Sequence, residues 1–142
     1  MLIASAERMV DVVTARVRAL PPVTGVGSAL DVLAELMPLD ALRRAELEVN
    51  IALVAEGAAE PALLPVRDDA HAGIAALCRA VVSTLAGEDA DPDGRRARRL
   101  HALVDGLSLQ LLHAGPEGGT DWAVLVLREE LEAIAASADG PG

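Results

Sequence analysis

Apolar positions along the chain recur at helical spacing, and no stretch alternates with period two for long. Hairpin signals such as Asn-Gly are absent. A first helix is predicted from Leu2 to Leu20, with Met9, Val12, Val13, Arg16 and Val17 on one stripe and Pro21-Pro22 as its stop. After a loop over Thr24 to Gly27, Ser28 reads as the N-cap of a short helix ending near Met37, where Pro38 breaks it. Asp40 caps the next helix, which carries Leu47, Ile51, Val54 and Ala55 and fades at Gly57. Glu60-Pro61 opens a turn, and Pro65 suits the first position of a helix reaching Leu85, with Gly87 beyond its end.

The segment from Glu88 to Gly94 reads as an acidic, mobile loop. A fifth helix follows from Arg95 to His113. Ala114-Gly115-Pro116 and Gly118-Gly119 separate it from a sixth, which Thr120 caps and Asp121 supports through the helix dipole. That helix ends near Ser137, and the tail Ala138 to Gly142 is expected to fray. The pattern is all-α, with about six helices and no strand, in a single domain over residues 1–142.

The last two helices are apolar over more than one face. Leu100, Leu103, Val104, Leu107, Leu109, Leu111 and Leu112 surround most of the fifth, and Trp122 to Leu127 run apolar without a break in the sixth. A surface helix needs one apolar stripe, so the surplus calls for a second covering. Either a second copy supplies it, as a four-helix bundle across a two-fold axis, or these helices form a central hairpin covered by the other four. Gly106 and Ser108 permit close helix approach.

Composition narrows the function. With 12 basic residues, all Arg, against 22 acidic ones, the formal charge is −10, which disfavours DNA and anionic membranes as partners. Aromatic residues are 1% of the chain, which argues against base-stacking nucleic-acid modules. A single Cys excludes an internal disulfide and any multi-thiolate zinc site. No secretory signal is read at the start and no apolar run nears ~20 residues, so a cytoplasmic chain without a membrane partner is expected.

Polar side chains offer little catalysis. His101 and Asp105 stand at i, i+4 and Asp68 and His71 at i, i+3, spacings that fit ion pairs better than a metal site lacking its third ligand. Cys78 lies two turns from His71, roughly 10.5 Å along the axis, too far for a thiolate–imidazole dyad. Arg95, Arg96, Arg98 and Arg99 form the one basic cluster, directly after Glu88, Asp89, Asp91 and Asp93, and read as an ion-paired solvated face. No catalytic residue, metal ligand or cofactor is expected. Asn50, beside Ile51 and Val54 with Glu46 one turn before, sits at the edge of an apolar face, as an orienting group in a small-molecule pocket would.

The segment Arg99 to Leu112, RLHALVDGLSLQLL, resembles the penultimate helix of the TetR family of transcriptional regulators. Leu36-Met37-Pro38-Leu39-Asp40 with Arg43-Arg44 resembles the start of a long helix in that family, and Ala59-Glu60-Pro61-Ala62-Leu63 its following turn. Leu2 to Glu7 look like the residues just after its DNA-binding module. The likeness runs in order over nearly the whole chain and is nearest the regulatory half with a BetI-type C-terminal region. It implies a bundle that binds a small apolar effector and forms a homodimer through its last two helices. The family places a helix-turn-helix module ahead of this region, and none is read in these residues. DNA is therefore a partner only where the full-length protein carries such a module.

On that resemblance, Met9, Val13, Met37, Asn50, Ile51, Val54, Leu77, Cys78 and Leu107 are expected at the effector pocket. Leu103, Leu107, Leu111, Trp122, Leu125 and Val126 are expected at the dimer interface. The scarcity of aromatics points to an aliphatic pocket rather than a cation–π cage. The alternative function is a structural protein–protein interaction module without a ligand. A small helical enzyme ranks last, because no acid–base constellation is visible.

Overall fold

The computed structural model describes residues 2–139. They form six α-helices, and no strand occurs among the described residues: α1 Leu2–Arg18, α2 Val26–Ala34, α3 Ala41–Gly57, α4 Leu64–Ala86, α5 Arg95–Ala114 and α6 Asp121–Ala136. Short 3₁₀ turns, Pro61–Leu63 and Ser137–Asp139, precede α4 and follow α6. The predicted fray of the tail therefore begins as an ordered turn, and residues 140–142 lie outside the described part.

Local chemistry sets most boundaries. Asp40 accepts from the Arg43 backbone N–H at 2.8 Å and caps α3. Gly87, at φ +105°, ends α4 in a conformation that a side chain would strain. Two starts differ from expectation. The α2 helix begins at Val26, not after Ser28, and the Ser28 hydroxyl reaches back to accept from the backbone N–H groups of Thr24 and Gly25. Thr120 precedes α6 without a side-chain capping bond. The α1 helix stops at Arg18, two residues short of the predicted end, and α2 stops at Ala34 ahead of a turn.

The acidic loop before α5 is tied down. Asp91 accepts from the backbone N–H groups of Arg96 and Ala97, and Asp93 accepts from that of Arg95. These carboxylates satisfy orphan donors and offset the arginines at the positive end of the helix. Arg99 adds a 3.1 Å ion pair to Glu130 of α6.

The core has two parts. The larger unites α2, the C-terminal half of α4, α5 and α6 around Leu33, Met37, Cys78, Val81, Leu100, Val104, Leu127 and Leu131. The smaller joins Ala6 of α1, Leu53 of α3 and Leu63, flanked by Leu2, Ile3, Val49 and Val66. The long α4 runs through both. Most of α3 packs on only one narrow side, since Leu53 and Gly57 alone are buried among its residues. Space remains on both flanks of α3.

Candidate functional site

The first space is an apolar cavity of about 480 Å³ between α1, α3 and α4. Met9, Val10, Val13 and Val17 line it from α1, Leu47 from α3, and Ile74 and Leu77 from α4. Its size falls within the range of small-molecule pockets. Gly73 lies on its wall, and a Cβ placed there would meet nothing within 4 Å.

One end of this cavity is polar. The Arg16 guanidinium donates to Glu35 at 2.7 Å and to Glu46 at 2.7 and 2.9 Å. Arg43 donates to the Ala34 carbonyl at 3.2 Å and to Glu35 at 3.4 Å. Glu35, Arg43 and Glu46 line the cavity, so two carboxylates and two guanidiniums close it as one hydrogen-bonded group. The Glu46 carboxylate, through hydrogen bonding, holds the Arg16 proton more firmly than usual, against the opposing effect of burial. The group also ties the C-terminal end of α1 to the α2–α3 connection. The sequence carried a signal for it, since Arg16 interrupts an otherwise apolar stripe.

The second space, about 660 Å³, lies on the other flank of α3 and is bounded by α4 and α5. Leu47, Asn50, Ile51 and Val54 line it from α3, Arg67, Asp68, His71 and Ile74 from α4, and His101, Asp105 and Leu109 from α5. The His71 and His101 rings lie 4.8 Å apart at 38°. His101 is 8% exposed, and its Nε2 approaches Asp105 at 3.5 Å. Surrounding protein raises the Asp105 carboxyl above its ordinary range even though 60% of that side chain still meets solvent, and His101 and His71 oppose the rise. No group of three or more His, Cys, Asp or Glu suited to a metal ion occurs among the described residues.

The expected pocket residues separate by position. Met9, Val13 and Leu77 border the first cavity, Ile51 and Val54 the second, and Asn50 both. Met37, Cys78 and Leu107 instead lie in the larger core and border neither. Burial pushes the Cys78 thiol up to about 12, so it is an inert core group. The expected interface residues separate as well. Leu107 and Leu111 face inward at 4% and 2% exposure, because their spacing with Val104 places all three on the core side of α5. Leu103 and Val126 are half-buried, whereas Trp122 and Leu125 are exposed at 41% and 55%. Trp122 and Leu125, about one turn apart, make an apolar strip on the outside of α6, while Leu103 and Val126 also pack on the larger core. Leu109 points to the second cavity rather than to that strip.

Among the described residues no helix is long and apolar enough to cross a membrane. The family model for the C-terminal region of BetI-type transcriptional repressors matches residues 26–136, from the first residue of α2 to the last of α6. Comparison with curated proteins and with solved structures gives no match.

Proposed function

This chain belongs to the BetI-type transcriptional repressor C-terminal family, and from that membership we propose that it is the effector-sensing and dimerising part of a transcriptional regulator, not an enzyme. The observation that carries the reading is the apolar cavity between α1, α3 and α4, closed at one end by the Arg16–Glu35–Glu46–Arg43 group. A small apolar effector in that cavity touches three helices at once. It therefore favours whichever arrangement of α1 against α3 and α4 gives it the better contacts, which is a population shift driven by differential affinity. Because α1 precedes the family match, a DNA-binding module joined ahead of it in a full-length protein would be re-spaced by that shift.

The second copy docks on the outer strip of α5 and α6, where Leu103, Trp122, Leu125 and Val126 remain available. A tryptophan at the centre of an apolar patch is a common hot spot. On this reading the protein acts in the cytoplasm, where a transcriptional regulator meets its targets, and residues 26–136 contribute sensing and dimerisation to it.

Native mass spectrometry of the purified chain tests both halves of the proposal. The expected spectrum is a dimer of the 14.6 kDa chain, with added mass from a retained small molecule. Trp122→Ala is expected to weaken the dimer by about 2 kcal/mol, near thirtyfold in Kd. A monomer at all concentrations overturns the dimer, and apolar probes that fail to bind overturn the sensor.

A further inference from the structure

The two cavities are neighbours. Leu47 and Asn50 of α3 and Ile74 of α4 line both, so side chains at these positions stand between a chamber with a largely apolar wall, which Asp69 and the Glu35–Arg43–Glu46 group also border, and a chamber that carries two imidazoles. The Asn50 amide at this partition makes no side-chain hydrogen bond among the described residues, which leaves its donors and acceptor for a visitor.

The charged groups facing the second chamber do not cancel. Arg67 is spent on Asp68, its neighbour in sequence, at 3.1 and 3.2 Å. Asp105 is left with a single 3.5 Å approach to His101. His101, largely buried, has Asp105 as its one polar approach within 3.5 Å among the described residues, and its ring lies 4.8 Å from that of His71. Asp105 is thus a carboxylate short of a cation, and beside it lie imidazole nitrogens able to accept. An anionic head would meet Asp105 and Asp68 unless both imidazoles were charged.

We propose that the effector is an elongated amphiphile whose ammonium head lies among Asp105, His71 and His101 while its aliphatic tail passes Asn50 beneath α3 into the chamber lined by Val13 and Leu77. An ammonium brings three N–H donors, enough for Asp105, an imidazole nitrogen and the Asn50 carbonyl. The tail meets Met9, Val13, Val17 and Leu77 in the first chamber, whose border also carries Asp69, and the −10 charge of the chain draws cations toward it. This proposal rests on the effector-sensing reading and adds the head-group chemistry and the path of the tail.

Three probes with one tail and three heads separate the two ideas: decylammonium, decanol and decanoate, titrated below micelle formation into the purified chain by calorimetry. Decylammonium is expected to bind about fivefold more tightly than decanol, the upper range for a charge pair at a solvent-accessible rim, and decanoate more weakly than both. Asp105→Asn keeps the shape, and is expected to erase the preference for the ammonium while leaving decanol unchanged. In NMR spectra of the unsubstituted chain, decylammonium is expected to move the ring signals of His71 and His101 together with the methyl signals of Val13 and Leu77. Equal affinity for the three probes, or a preference surviving Asp105→Asn, overturns the head-group assignment and leaves the sensor reading intact. Shifts confined to one chamber overturn the path of the tail. Binding by none of the three overturns both ideas.

Discussion

The half of the molecule built from α2, α5, α6 and the end of α4 is filled, and the half built from α1, α3 and the start of α4 is not. The first half seats Leu33, Leu100, Leu127 and Leu131 at 0% exposure in one continuous core. The second buries Ala6, Leu53 and Leu63 in a small cluster and leaves two chambers beside α3. Both halves use the same alphabet of Ala, Val and Leu. What differs is geometry: α5 and α6 are each covered along a full face, whereas along α3 Leu53 and Gly57 alone are buried and the other residues are half-buried or exposed. Stability resides in one half and room for a ligand in the other, a division expected where a binding region must remain able to move.

The sharpest way to break this comparison is to remove the same kind of atoms from each half. Leu127→Ala in the filled half leaves a void with few neighbours free to collapse, and is expected to cost about 2–5 kcal/mol in urea denaturation. Val13→Ala removes a side chain that already borders open space, and is expected to cost less than about 1 kcal/mol. Equal losses would show that the chambers collapse in solution.

High pH probes the filled half next. The folded chain holds the Cys78 thiol at about 12 against an ordinary 9.0, so folding favours the protonated form. The unfolded chain then gives up the proton first, and stability falls as pH rises from 9.0 towards 12, with a slope of at most about 1.4 kcal/mol per pH unit. Denaturation melts of the parent and of Cys78→Ser at a series of alkaline pH values should differ in slope across that window. A thiol reagent should label Cys78 only as the protein unfolds.

The polar closure comes third. Arg16→Ala leaves Glu35 and Glu46, each mostly buried, without their main partner, and about 1–2 kcal/mol of stability is expected to be lost. Thermal melts of the parent and the variant measure the loss. The smallest effect has the opposite sign. Gly73→Ala meets nothing within 4 Å and removes a flexible residue from the middle of α4, so a gain of about 0.5–1 kcal/mol is expected. The added methyl enters the first chamber, and a tail bound there should sense it as weaker binding.

Helices are legible in this sequence because burial repeats at 3.6 residues and because Asp40, Pro65 and Gly87 mark ends by their own chemistry. The N-cap of α2 is read three residues late, at Ser28 instead of Gly25, because the Ser28 hydroxyl serves backbone donors on its N-terminal side, which the sequence pattern does not distinguish from a cap. The site is less legible. Periodicity assigns Met9 and Val13 to an apolar face just as it assigns Met37, Cys78 and Leu107, and it cannot say which face is met by a neighbour and which by a void. Partner choice is the second obstacle. Arg16 announces itself as a polar residue in an apolar stripe, but Glu35 and Glu46 lie 19 and 30 residues away, and nothing local joins them. The outer strip follows the same logic: Leu103 and Leu107 differ by one helical turn and a small rotation, enough to put one half outside and the other inside.

The 23 residues of α4 extend roughly 35 Å at 1.5 Å per residue, through both halves of the molecule. Cys78, Val81 and Val82 clamp its C-terminal half among α5 and α6, while the stretch from Arg67 to Leu77 runs beside the chambers. Mechanically α4 is built in firmly at its C-terminal end and held lightly at the other, where Val66 packs on the small cluster. A load on the length beside the chambers bends or tilts it about the firm clamp, which resists. Displacement from within the chambers therefore leaves the domain through α1 and α3, where little opposes it, and hardly at all through the surface of α5 and α6. The α5–α6 side can remain a fixed base while the opposite side moves.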